Sequence, residues 1–170
     1  MNISLLQRSF GRDARNQIIK AHERSAEGAI ACLETFYYSF NNKDMDTFRS
    51  VWYMDRLIQL DNPVGGIVRG ITAIEELYSK IFEGPASVWV KFSDIVCYCS
   101  GDIVVFAGIE TGEFSNEHEI IPLQFRTTRI FGFADNDERW CQLHHHGSMD
   151  DADLLYQYQN AINNKEAVEY

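Results

Sequence analysis

At residue 85 the hydrophobic period of this chain changes, and that change limits its fold more than any other feature. Before Pro85, apolar residues return every three or four positions: Ile30, Leu33, Phe36, Tyr37 and Phe40, then Ile74, Leu77, Tyr78 and Ile81. That spacing puts one apolar stripe on a helix. Beyond Pro85 the period falls to two, and residues 87–99, 102–114, 121–133 and 138–147 read as long strands. Ser100-Gly101-Asp102 and Asp135-Asn136-Asp137 are hairpin turn sequences. Helices first and hairpin-linked strands afterwards make an α+β order, whereas a parallel sheet needs the two to alternate. The expectation is a cone: one strongly bent antiparallel sheet, wrapped by helices around a pocket.

Local signals fill in the elements. A helix over 25–41 is stopped by Asn41-Asn42, and Asp44 caps a short second helix carrying Met45, Phe48, Val51 and Trp52. Leu57–Asp61 is a short strand, ended by Asn62-Pro63 and a Gly65-Gly66 turn, with Gly66–Gly70 returning. Thr72 with Glu75, and Ser148 with Asp151, have the spacing of capping boxes. The second opens a last helix with Leu154, Leu155, Tyr158 and Ile162 inward. Residues 1–24 are weakly patterned, with a short helix around 13–24. The three prolines fall at element ends and no linker interrupts the 170 residues, which suits one domain. Its parts are an arm (1–24), a body (25–150) and a C-terminal helix with its tail (151–170).

Charge and cysteine usage narrow the partners. Lys and Arg total 15 against 25 Asp and Glu, a formal net charge of −10. Such a field repels a phosphate backbone, so no nucleic-acid partner is expected. Arg8, Arg12, Arg15, Lys20 and Arg24 crowd the first residues, and Asp150, Asp151, Asp153, Glu166 and Glu169 crowd the last. Both read as solvated ends, with a meeting across a dimer as the alternative. Cys97 and Cys99 point the same way along a strand and suit neither a CxxC motif nor a mutual disulfide. With Cys32 and Cys141 they read as reduced thiols of a cytoplasmic protein. The first residues lack the apolar run of a signal peptide, and no stretch approaches the ~18 apolar residues of a membrane span. Aromatics reach 13%, enough to wall a cavity or interface, or to fill the core. The outer sheet face is expected to carry uncovered apolar side chains, hence a homodimer.

The order helix, helix, short hairpin, helix, long meander resembles the cystatin-like, nuclear transport factor 2-like fold. Ketosteroid isomerase, scytalone dehydratase and the SnoaL polyketide cyclases share it. The stretch from Phe40 through Asn41, Asn42, Lys43 and Asp44 to Asp46 is similar to that family's link between its first two helices. Leu60-Asp61-Asn62-Pro63-Val64-Gly65, then Arg69 to Ile74, resembles the isomerase stretch that carries its catalytic base. Thr128–Phe131 and Trp140–Ser148 resemble both SnoaL-like proteins and the association domain of calcium/calmodulin-dependent kinase II. The resemblance spans roughly residues 25–150. Its isomerase chemistry does not carry over residue by residue. The base position before the proline is Asn62, whose amide takes no proton at neutral pH. Asp61, one residue away, belongs to the other strand face. Phe36 stands where the resemblance puts an oxyanion-binding Tyr, with Tyr37 beside it, and Thr127–Arg129 lacks the third group's carboxylate.

Candidate site residues follow from strand phase. His144 and His146 share one face and His145 takes the other. A His pair two apart can bind zinc only with a further ligand, for which Asp61 or Glu110 is available; no metal is expected. Cys141 and Leu143 fall on the face of His145, the smaller and more apolar set, so His145 is assigned to the pocket unless a β-bulge reverses the phase. Arg129 alternates with Phe125, Thr127, Phe131 and Phe133. A guanidinium among aromatics needs a carboxylate, an anionic ligand or a ring face. The catalytic candidates are Asp61, His145 and Arg129, and Asn62, Tyr37, Trp52 and Trp89 are ligand-binding candidates.

Two readings of function follow. One is a cofactor-free isomerase, dehydratase or cyclase working by general acid–base chemistry on a small, partly apolar or acidic ligand. The other is a non-catalytic ligand-binding or dimerisation module, or a structural subunit like the small subunit of ring-hydroxylating dioxygenases.

Overall fold

The period-two segments are four consecutive antiparallel strands, and everything else is arranged against them. The structure, a computed structural model, describes residues 1–63 and 66–163. In chain order it contains β1 (Asn2–Leu5), a 3-10 helix (Ile18–His22), α1 (Ala26–Asn41), α2 (Met45–Val51), β2 (Gln59–Asp61) and β3 (Ile67–Arg69). There follow α3 (Ile71–Glu83), β4 (Ser87–Ser100), β5 (Ile103–Ser115), β6 (Ile120–Ala134), β7 (Arg139–Ser148) and α4 (Ala152–Asn163). The sheet order is β1-β4-β5-β6-β7-β2-β3. Its pairs are antiparallel except β2 with β7, which run parallel. Gly65 of the expected turn, and Lys165, Glu166 and Glu169 of the tail, lie outside the described residues.

Two β-bulges bend the sheet. In β4 the register slips between Ser93 and Val96, with Asp94 at φ 51. Gly108 faces this bulge: a Cβ there would lie 2.7 Å from the Ser93 carbonyl oxygen and 2.8 Å from that of Asp94. Only a glycine lets the two strands approach so closely. In β7 the register slips again, Ile130 pairing with His144 and Phe131 with Gln142. Leu143 is the extra residue. It therefore leaves the face expected from strict alternation, and Gln142 takes its place beside His145.

The helix boundaries follow their caps. Ser25 accepts from the Gly28 N–H at the start of α1, and Asp44 accepts from the Thr47 N–H at 3.0 Å at the start of α2. The capping box expected of Thr72 and Glu75 does not form. α3 begins one residue before Thr72, with Gly70 at φ 78 as its cap. Glu75 is drawn instead to Arg49 of α2, at 2.6 and 3.2 Å. At α4 it is Asp151 itself that caps, accepting from the Asp153 and Leu154 N–H groups at 2.9 and 3.0 Å.

Much of the aromatic content is core. Phe36, Phe40, Phe48, Tyr78 and Phe82 bring α1, α2 and α3 together, with Phe48 and Tyr78 centroids 4.3 Å apart. Each such pair contributes about 0.5–1.5 kcal/mol beyond area burial. A smaller cluster joins Phe114, Ile121, Leu123 and Phe125 to Tyr158 and Ala161 of α4. The N-terminal arm adds β1 to the sheet, and Phe10 bridges Phe92 and stacks on Tyr37. Of the helix expected around 13–24, the five-residue 3-10 helix is what forms. Among the described residues no helix is long and apolar enough to cross a membrane.

Candidate functional site

Both aromatic clusters contribute walls to one cavity of about 360 Å³. Phe36, Phe40 and Tyr78 line it from the helices, and Phe114, Leu123 and Phe125 from the sheet. The polar groups that reach it come from a few register positions. Arg129 of β6 and His145 of β7 are directly opposed, and His145 is in turn opposed to Leu60 of β2. Alternation puts their side chains on one concave face. Glu110 of β5 and Asn62, just after β2, also line the cavity.

Arg129 is 1% exposed and fully engaged. Its Nη2 donates to Glu110 Oε1 at 2.8 Å, its Nε to the Tyr37 hydroxyl at 3.0 Å, and its Nη1 to Gln142 Oε1 at 3.0 Å. The guanidinium carbon sits 3.7 Å from the centroid of the Phe36 ring. Burial works against the charge, but Tyr37 and Glu110 outweigh it and hold the guanidinium above the ordinary arginine value. Burial also pushes the Tyr37 phenol well above its usual range. That phenol stays protonated and donates to Glu110 Oε1, so Glu110 is the counter-charge. Both of these hydrogen bonds land on Oε1, leaving Oε2 as the acceptor that Glu110 brings to the cavity it lines.

His145 is the opposite case. It is 6% exposed, its ring is edge-on to Phe36 at 6.3 Å, and both ring nitrogens are buried without a hydrogen-bond partner among the described residues. Burial lowers its pKa well below the usual histidine value, and the Arg129 cation, then His144 and His146, lower it further. The imidazole is therefore neutral, with one N–H donor and one acceptor nitrogen, neither matched. Other buried polar atoms lack partners, among them Trp52 Nε1, Trp89 Nε1 and Thr127 Oγ1. Of these residues only His145 lines the cavity.

The remaining candidates are dispersed. Asp61 sits on β2 one residue from Leu60 and faces away from the cavity. Its Oδ1 accepts from Gln59 Nε2 at 2.9 Å, and its Oδ2 lies 3.4 Å from His146 Nδ1 and 3.8 Å from His144 Nε2. Strand alternation thus removes it from the neighbourhood of His145. Among the described residues no group of three or more His, Cys, Asp or Glu is disposed to hold a metal ion. Tyr37 lies behind the cavity wall, in the Arg129 network. Trp52 is core, joined to Gln142 by an isolated bridge. Trp89 lies under the Arg12 guanidinium at 4.3 Å. Sequence reasoning put weight on Asp61 as the carboxylate near Arg129, and the structure supplies Glu110. The signal was there in β5: Phe106, Glu110 and Phe114 share one strand face, and a lone carboxylate on an apolar face calls for a buried cation. Gln142 was hidden by the bulge at Leu143.

Comparison with known proteins agrees with this architecture. A family model for the SnoaL-like domain matches residues 30–152. No curated protein matches the chain. Among solved structures, a candidate dehydratase of the NTF2-like family from Streptomyces avermitilis is 16% identical, with a TM-score of 0.66, covering 74% of this chain and 96% of its own. A nuclear transport factor 2-like superfamily protein from Salmonella enterica is 16% identical, with a TM-score of 0.63, covering 74% and 92%. The association domain of CaMKII from C. elegans is 19% identical, with a TM-score of 0.58, covering 72% and 94%. At these identities the likeness is one of fold. The family match covers most of the chain, from within α1 to the first residue of α4, and the chain belongs to the SnoaL-like domain family.

Proposed function

We propose that this protein takes a small, mostly apolar molecule into its cavity and moves a proton on it through His145. The reaction class is that of a cofactor-free isomerase, dehydratase or cyclase. The observation that supports this reading is the buried imidazole with two unmatched nitrogens on the wall of an apolar cavity. Burial and the Arg129 charge keep it in its base form, as a general base requires. Tyr78 and Asn62 line the same cavity, and burial keeps the Tyr78 phenol protonated, so both can donate to an oxygen on which charge develops. Arg129 holds Glu110 and the walls in position. Exchange of α-protons of cyclic ketones in D2O, followed by NMR, tests the reading. Acceleration by the wild type and its loss in His145→Phe is the expected result. Binding without acceleration in any ketone leaves a non-catalytic ligand-binding protein.

A second reading concerns assembly, and one observation favours it. Ile3, Leu5, Tyr98 and Ile103 are 56%, 55%, 37% and 43% exposed. The registers of β1, β4 and β5 gather them on the convex face, away from the cavity. A patch of that kind marks an interaction surface, and a homodimer through it accounts for the exposure. Light scattering at micromolar concentration is expected to give twice the 19.6 kDa chain mass, and Ile103→Glu is expected to halve it. A wild-type monomer removes the dimer. The four unpaired thiols, Cys32, Cys97, Cys99 and Cys141, support a reducing compartment such as the cytoplasm.

A further inference from the structure

The cavity's charges sort its ligands more sharply than its shape does. Arg129, the one cation on its walls that is deeply buried, is matched by Glu110 and also hydrogen-bonded to Tyr37 and Gln142. A carboxylate entering the cavity would find that charge already balanced. It would also meet Glu110 Oε2, the oxygen without a protein hydrogen bond. A ligand with no polar group would leave His145 as it is now, buried with two unmatched nitrogens.

From these positions we propose that the ligand is a neutral apolar molecule bearing a hydroxyl group, of the phenol or enol kind, seated against His145 and Glu110. The class rests on the cavity being a small-molecule site, as proposed above, and narrows it away from the acidic ligands that a lone arginine suggests. A hydroxyl both donates and accepts. It can give its proton to the unprotonated nitrogen of His145 or to Glu110 Oε2, and accept from the His145 N–H or the Tyr78 hydroxyl. Neither His145 nitrogen is open to water in the empty cavity, and a partner reaches them only from the cavity that the ring lines. The rest of the wall, including Leu77, Ile81, Leu123 and Phe125, is apolar and holds the ligand skeleton. A buried polar group that gains its missing partner only from the correct ligand is a strong basis for selection.

Three probes with one skeleton test this: 2-naphthol, 2-naphthoate and 2-methylnaphthalene, titrated at pH 7 by calorimetry. The naphthol is expected to bind about tenfold tighter than the methyl compound, the worth of one hydrogen bond to a neutral buried group. The naphthoate is expected to bind weakest. The wild-type ranking needs no variant, and tightest binding by naphthoate overturns the proposal. In His145→Phe, with its fold checked by circular dichroism, methylnaphthalene binding is expected to persist while the naphthol advantage disappears. An undiminished advantage overturns the assignment to His145. If none of the three binds, the small-molecule reading of the cavity fails and this proposal fails with it, an outcome distinct from a wrong ranking.

Discussion

Arg129 and His145 face each other across β6 and β7, are almost equally buried, and are equipped in opposite ways. The cation has Glu110, the Tyr37 hydroxyl, Gln142 and the Phe36 ring around it. The imidazole has no hydrogen-bond partner among the described residues. Burying a charge without partners costs far more than burying a neutral polar ring, so the fold surrounds the first and tolerates the second. The difference separates support from chemistry. A saturated group can hold a wall in place but has little left to offer a ligand, whereas an unsaturated one is stabilised by whatever the cavity brings to it.

The comparison breaks most visibly if Arg129 loses its counter-charge. Glu110→Ala leaves a guanidinium stranded in the core, and the expected loss is about 3–5 kcal/mol in urea denaturation. The double variant Arg129→Met with Glu110→Leu removes both charges, and should recover most of that loss, because apolar replacements of a buried pair are often neutral or better. A Glu110→Ala protein of wild-type stability would mean that Arg129 is held by something other than Glu110.

Acid should sharpen the contrast from the other side. An unfolded histidine takes up a proton below about pH 6.5. Folded His145, its pKa lowered by burial and by Arg129, does not. The unfolded state therefore binds more protons, and stability falls as pH drops below about 6.5, by up to about 1.4 kcal/mol per pH unit, until the folded pKa is reached. His144, also lowered by burial although Asp61 opposes it, contributes in the same direction. His145→Phe should flatten most of this limb in denaturation curves taken between pH 7 and 5. A limb of unchanged slope would assign the acid sensitivity elsewhere.

At pH 7 the same variant should gain stability where most core changes lose it. Leaving a buried polar group unmatched costs about 1–3 kcal/mol, and a phenyl ring of similar size among Phe36, Leu60 and Phe125 removes that cost. The expected gain is about 1 kcal/mol or more by thermal or urea unfolding. A loss would mean that the imidazole has a partner in solution, such as an ordered water.

The α+β order and the long strands were legible in the sequence because period and turn residues are local signals. The change of period at Pro85 marks where the helices give way to strands that end within a residue or so of their expected limits. The inward faces of Arg129 and His145 were legible for the same reason. Three features were not. The bulge at Leu143 leaves no local mark, so Gln142 fell on the wrong face. The Thr72–Glu75 spacing promised a capping box, but Arg49, distant in sequence, offered Glu75 a charged partner. The matching of Arg129 with Glu110 depends on the β5–β6 register and on Tyr37 arriving from α1. Which polar groups end up paired is a property of the assembled sheet and helices, and alternation along one strand cannot decide it.

The smallest expected effect lies on the outer face of β7. There Asp61 approaches His146 at 3.4 Å and His144 at 3.8 Å. This is the third way of placing a histidine in one strand: neither saturated nor abandoned, but beside a carboxylate in partial contact with water. Burial lowers the His144 pKa more than Asp61 raises it, so at neutral pH that contact is no true ion pair. The side chains of Asp61 and His146 are 23% and 50% exposed, and exposed pairs of this type contribute about 0–1 kcal/mol. Asp61→Asn should therefore cost less than about 1 kcal/mol by urea denaturation, and its amide can still accept from Gln59. Because Asp61 points away from the cavity, the variant should also leave the binding of 2-naphthol, and any ketone exchange, unchanged. Loss of either with stability intact would bring Asp61 back as a proton-transfer residue, and would require β2 to present its other face to the cavity. That would contradict the Leu60–His145 register, in which Leu60 and not Asp61 lies beside the buried imidazole.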